Sequence, residues 1–209
     1  MKASEKLIIT ISRQLGAGGA YIGQQIARKL KIHYADHEII RKAAEKLSVK
    51  EEDIERRDEK TQPFWETMLF SSGYAPEFYV PINIKYAPTD AEMYNVEMSI
   101  MQKLAENIDA VIIGRGGFHI FKDRPNTLKV FLFAPKEYRI DRVMTEHNLN
   151  EAEAKKAIED SDRERAKYID AFTGLKWIES TNFDLTLNTS KLGLDKTAEA
   201  ILAMINLMK

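Results

Sequence analysis

Residues 7–11 form a short apolar, β-branched run, and three glycines follow it almost at once, at Gly16, Gly18 and Gly19. After them Ile22, Ile26 and Leu30 recur at helical spacing. A run apolar on both faces predicts a buried strand, and a 3.6-residue period predicts an amphipathic helix. The start of the chain therefore reads strand, glycine loop, helix. A short segment at 34–36 and a helix over 38–47 come next. The pattern resumes with a helix at 91–106 and a buried strand at 110–113 that runs into Gly114-Arg115-Gly116-Gly117. A strand at 128–133, charged helices at 136–146 and 151–168, a short strand at 185–187 and a helix at 194–208 complete it. Strands that alternate with helices imply one parallel sheet with right-handed crossovers, flanked by helices in three layers. Ligands of such sheets bind beyond the carboxyl ends of the strands, and both glycine clusters fall at that edge.

Residues 48–90 break the alternation. A charge cluster at 51–60 precedes Phe64, Trp65, Phe70, Tyr74, Phe78, Tyr79 and Tyr86, interspersed with four prolines. Two readings stand: a surface insertion with its own small apolar cluster, or an arm that overhangs a binding site. The expected organisation is a single domain over 1–209, with an inserted region at 48–95 and a charged helical pair at 137–172.

Composition narrows the function. The 209 residues include 31 basic and 32 acidic side chains, a net charge of −1, which argues against electrostatic coating of nucleic acid. The chain has no cysteine, so disulfides and thiolate metal sites are excluded. The first residues contain too short an apolar run for a signal peptide, and no apolar stretch has the length of a membrane span. A cytoplasmic protein without membrane or nucleic-acid partners is expected. His33 and His37 share helical spacing, but no third ligand stands near them, so a metal role is not expected for that pair.

The first glycine cluster carries the clearest chemistry. A glycine loop between a strand and a helix turns several backbone N–H groups into one concavity, where the helix N-terminus adds partial positive charge. Gly16, Ala17, Gly18, Gly19, Ala20 and Tyr21 are the candidate phosphate cradle, and Arg13 adds a charged donor. Arg163 and Arg165 lie in a charged helix, where the alternative is a solvated face of salt pairs such as Glu159–Arg163.

The segment Ile9-Thr10-Ile11-Ser12-Arg13-Gln14-Leu15-Gly16-Ala17-Gly18-Gly19 resembles the phosphate loop of the cytidylate kinase-like family. Residues 34–41, with Asp36 and Arg41, are similar to the stretch that contacts the nucleoside monophosphate there. Residues 112–117 resemble the family's Gly-Arg element, and Asn188-Thr189-Ser190 its segment near the base of the donor. The resemblance implies a P-loop kinase-like fold and transfer of the γ-phosphoryl group of ATP to a nucleoside monophosphate such as CMP or dCMP, with Mg²⁺. It assigns the donor to the glycine loop and Arg13, and the acceptor to Asp36, Arg41 and Arg115. Residues 48–95 become an inserted acceptor-binding region, and 137–172 a lid flanked by Arg139 and Arg142. Arg163 and Arg165 become the lid arginines that neutralise moving charge, and Ser12 and Asp36 the metal-holding positions. Departures are specific. A Walker loop places lysine and then a hydroxyl residue where this chain has Gly19 and Ala20-Tyr21. Ser12 and Gly116 stand where the family carries acidic residues. In this reading Arg13 supplies the missing lysine charge. A nucleotide or phosphate binder without turnover, a kinase of another small acceptor, and an interaction module that binds no nucleotide are the alternatives.

Overall fold

Five parallel strands form one sheet in the order β2-β3-β1-β4-β5, with β1 at its centre. The computed structural model describes residues 5–36 and 90–208. The strands are β1 (Ile8–Arg13), β2 (His33–Ala35), β3 (Ala110–Ile113), β4 (Thr127–Phe133) and β5 (Leu185–Asn188). The helices are α1 (Gly19–Leu30), α2 (Asp90–Asn107), α3 (Gly117–Ile120), α4 (Lys136–His147), α5 (Glu151–Thr173), α6 (Thr189–Leu192) and α7 (Leu194–Leu207). The expected helix at 38–47 and nearly all of the 48–95 insertion lie outside the described residues.

Burial explains the sheet. β1 pairs with β3 from Ile8↔Ala110 to Ile11↔Ile113, and with β4 from Ile8↔Thr127 to Arg13↔Leu132. Every residue of β3 is buried, and so is β1 up to Ser12. A strand hydrogen-bonded on both edges and covered on both faces is buried along its length, and the polar residues β1 takes inside, Thr10 and Ser12, are small hydroxyls. On one face Ile9, Ile11, Val111, Ile113, Val130 and Leu132 pack against Ile22 and Ile26 of α1 and Ile201 and Ile205 of α7. On the other, Ile8, Ala110 and Ile112 meet Met101 and Ala105 of α2. An aromatic cluster of Tyr94, Phe118, Phe131, Tyr168 and Trp177 extends that second face.

α4 and α5 form a helical hairpin whose apolar seam, Val143, Ala154 and Ile158, packs against Leu15 of the glycine loop. Asn150 and Glu153 cap α5 reciprocally, as a capping box. The helix runs on past Tyr168 to Thr173, because Ile169 and Phe172 continue its apolar stripe, and Gly174 at φ 66° ends it. Two single-turn helices, α3 and α6, were not legible as periodic segments.

Candidate functional site

The loop from Gln14 to Gly18 joins the end of β1 to the start of α1. Gly16 has φ 81°, and Gly18 at φ 79° is the N-cap of α1 without any side-chain cap. The N–H of Gln14 donates to Leu132 O at 3.0 Å, that of Ala17 to Gln14 O at 3.2 Å, and that of Leu15 to Asp162 Oδ1 at 3.3 Å. The N–H groups of Gly18, Gly19 and Ala20 have no hydrogen-bond partner among the described residues. They open the first turn of a 12-residue helix, where the macrodipole favours an anion. Ala17 is buried beneath the loop. The Tyr21 side chain turns away: its hydroxyl donates to Asp195 on α7 at 2.8 Å.

The hairpin holds this loop from outside. Buried Arg139 donates to Ala134 O at 3.1 Å, to Leu15 O at 3.2 Å and to Asp162 Oδ2 at 2.7 Å. Arg142 donates from Nε to Gly16 O at 3.1 Å and pairs with Glu146. Asp162 thus accepts from both the loop backbone and Arg139. Arg139 and Arg142, expected at a lid, brace the glycine loop from the hairpin.

Three arginines from three elements converge beside the loop. Arg13 ends β1, Arg115 follows β3, and Arg165 lies on α5. All three line one cavity with Ser12, Gly114, Gly116, Tyr168, Ile169 and Trp177. Arg13 runs across the start of α1, so that a Cβ built on Gly19 would stand 2.7 Å from Arg13 Cγ. Its guanidinium reaches the β3 turn, where a Cβ on Gly114 would collide with Nη1. Arg115 adopts φ 55° between two positive-φ glycines, and its Nη1 lies 3.3 Å from Glu97 Oε1 on α2. Arg165 is 7% exposed; its Nη1 stands 3.9 Å from Asp162 and has no hydrogen-bond partner among the described residues.

These cations crowd one another. Burial lowers the Arg13 pKa, Asp36 opposes the shift, and Arg115 adds to it. Burial also pushes Arg165 down to about 9, with Arg13 and Arg115 contributing and Asp162 and Asp36 resisting. Desolvation and like charges both disfavour the cationic form, and an anion in the cavity would oppose both. Asp36, at the end of β2, is half-buried and accepts from the Tyr34 hydroxyl at 3.1 Å. Ser12 is buried at the cavity wall.

Not every expected residue joins this cluster. Arg163 projects to solvent, 56% exposed, and pairs with Asp160 at 2.5 Å and Glu164 at 3.4 Å, so the structure places it outside the cavity. Its neighbour Arg165 faces inward because the two lie on different sides of α5. Arg41 lies outside the described residues. Glu97 and Trp177 were not anticipated. Glu97 had a signal: it interrupts the Tyr94, Met101, Ala105 stripe of α2 with a carboxylate that is 1% exposed.

A parallel sheet of this order, a glycine loop opening a helix whose first N–H groups are unpaired among the described residues, and arginines converging at the strand ends define a P-loop kinase-type α/β protein. The chain belongs to the cytidylate kinase-like family, whose family model matches residues 8–191. That membership brings a nucleotide-kinase type of function with it. No curated protein matches the chain. Among solved structures it is similar to an uncharacterized protein from Eubacterium ventriosum ATCC 27560, at 20% identity and TM-score 0.71, with 96% of this chain and 99% of that one covered. It also resembles shikimate kinase from Bacteroides thetaiotaomicron, at 15% identity and TM-score 0.54, covering 96% and 98%. Shikimate kinase from Acinetobacter baumannii, in complex with shikimate, gives 15% identity and TM-score 0.53, covering 98% and 95%. At these identities the likeness is one of fold. No helix among the described residues is long and apolar enough to cross a membrane.

Proposed function

We propose that this protein is a cytoplasmic phosphotransferase that moves the γ-phosphoryl group of ATP to a nucleoside monophosphate of the CMP or dCMP class. The observation that carries this reading is the convergence of Arg13, Arg115 and Arg165 on one cavity beside the N-terminus of α1. Phosphoryl transfer asks a protein for positioning and for neutralisation of spreading charge, and no protein nucleophile is needed. The free N–H groups of Gly18, Gly19 and Ala20 hold the donor phosphates. Arg115, together with Arg41 and Asp36, holds the acceptor. Arg13 and Arg165 supply positive charge between the two, and the α4–α5 hairpin, which carries the 137–172 lid region, closes over them.

Mg²⁺ fits the residues present in a limited way. Among the described residues no group of three or more carboxylates, histidines or cysteines is placed to hold a metal ion. Ser12 offers a buried hydroxyl at the cavity wall, and Asp36 a half-buried carboxylate near Arg13. Mg²⁺ takes one or two protein oxygens and fills its shell with phosphate and water, so such a sparse set suits it. The ion would add charge neutralisation to the donor phosphates.

The test is a coupled assay with ATP, Mg²⁺ and a panel of nucleoside monophosphates, run beside a thermal-shift measurement. ATP should raise the melting temperature, because a ligand of the native state stabilises it by mass action. Turnover should appear with a pyrimidine monophosphate. A second reading rests on Gly19, which leaves the helix start without a lysine: a nucleotide binder without turnover, or a kinase of another acceptor. Stabilisation by ATP with no turnover of any monophosphate would select it.

A further inference from the structure

Glu97 is a carboxylate in the wrong place for a helix that only needs to pack. It lies in the apolar stripe of α2, between Tyr94 and Met101, and is 1% exposed. An isolated buried carboxylate is strongly unfavourable, and apolar replacement of a buried ion pair is often neutral or stabilising. Retention of the charge therefore calls for a reason other than stability.

Its two oxygens face two different elements. Oε1 lies 3.3 Å from Arg115 Nη1, at the turn after β3. Oε2 accepts a 2.8 Å hydrogen bond from the Tyr168 hydroxyl on α5. Tyr168 sits three residues beyond Arg165, on the same side of that helix, and both line the arginine cavity. One carboxylate thus ties the arginine of the β3 turn to the helix that carries the arginine of the hairpin. The Tyr168 ring is itself held, edge-on to Tyr94 at 5.9 Å and to Phe172 at 5.0 Å between centroids. A rigid aromatic stem with a hydroxyl at its tip can set a distance that a flexible side chain cannot.

We propose that Glu97 and Tyr168 are positioning residues for phosphoryl transfer, which together fix the Arg115 and Arg165 guanidinium groups relative to one another across the acceptor site. The inference rests on the proposed kinase reading. Neither residue touches the reacting atoms; each acts through an arginine. Loss of alignment should lower kcat and alter acceptor binding, and leave the donor site at the start of α1 unchanged.

The experiment compares E97Q and Y168F with the wild type, full-length, for kcat, for KM of CMP and of ATP, and for calorimetric Kd of CMP and ATP taken separately. Y168F keeps the ring packing and removes only the hydroxyl, so it reports even where E97Q fails to fold. The expected loss of kcat is roughly tenfold in Y168F and thirtyfold in E97Q, with KM and Kd for ATP within about twofold of wild type. Wild-type kcat and CMP affinity in folded variants overturn the proposal. So does an equal loss for ATP and CMP, which marks a merely structural role. If the wild type binds CMP without turning it over, the kinase reading fails and the proposal is decided by the Kd pair: CMP affinity changed and ATP affinity retained support it. A wild type that binds ATP but no CMP overturns both.

Discussion

Arg13 occupies the space that a side chain at position 19 would need. A Cβ on Gly19 would stand 2.7 Å from Arg13 Cγ and 2.9 Å from its Cβ, contacts that real side chains do not make. Position 19 is where a Walker loop carries lysine. In the proposed kinase reading the missing charge and the intruding stem are two sides of one packing solution, with the cation delivered from the strand end instead of the helix start. Gly19→Lys alone should clash and lose activity despite restoring the lysine. Arg13→Gly alone should lower kcat by about a hundredfold, as expected for removal of one charge-stabilising group, with a smaller change in ATP affinity. The double variant R13G/G19K should recover part of the lost rate. Steady-state kinetics on the three variants checks this, and a double variant no better than the worse single one sinks the idea.

Arg163 and Arg165 are two residues apart, and the structure treats them differently. Arg163→Ala should leave turnover within about threefold of wild type, since exposed ion pairs contribute little. Arg165→Ala removes a buried charge from the cavity and should cost about a hundredfold in kcat. Parallel assays of the two variants measure the contrast, and equal losses would contradict the inward and outward placement.

Arg165 also gives the site a pH dependence. Its pKa is lowered to about 9, so the cation is present below that value and is lost as pH rises through it. Affinity for a phosphate ligand should then fall by up to about tenfold per pH unit above 9, following the protonated fraction. Stability of the ligand-free protein has the opposite sign from this group. Above about 9 and up to the ordinary arginine value the unfolded chain binds more protons, so the group's contribution rises with pH. Calorimetric titration of ATP from pH 8 to 10 should show the decline in wild type and a flatter profile in R165A.

Asp162 accepts from the Leu15 N–H and from Arg139, which in turn donates to the Leu15 carbonyl. Asp162→Ala should strip the glycine loop of this brace and leave a buried guanidinium unmatched. Because Asp162 is only partly buried, the expected loss of stability is about 2 kcal/mol, below that for breaking a fully buried pair. Denaturant melts measure it, and ATP affinity should fall alongside.

The chain order of strands and long helices was legible, because β3 is apolar on both faces, β1 is a short β-branched run bounded by the glycine loop, and α1, α5 and α7 carry several turns of period. α3 and α6 were not, since four residues hold barely one turn and no repeat. Within the site, Gly16 to Ala20 and Arg13 could be read from local spacing: strand, loop and helix are contiguous there. Glu97 meets Arg115 and Tyr168 only through the fold, across 18 and 71 residues of chain, so no local pattern announces it. The opposite orientations of Arg163 and Arg165 depend on which face α5 buries, a matter of tertiary packing. Helical phase alone left it open, because both neighbours are charged.

Gly116 has φ 67°, yet a Cβ there would meet Tyr94 and Ile169 only at 3.6 Å and 3.8 Å, ordinary contact distances. Conformation restricts this position, and space does not. Aspartate and asparagine visit the left-handed region more readily than other side chains. A residue that would place an acidic group after Arg115 is thus also among those the backbone tolerates best, and a single base change converts the glycine codons GGU and GGC into aspartate codons. For a lineage of such proteins, the difference between a turn with that carboxylate and one without it is a short mutational step, open in either direction.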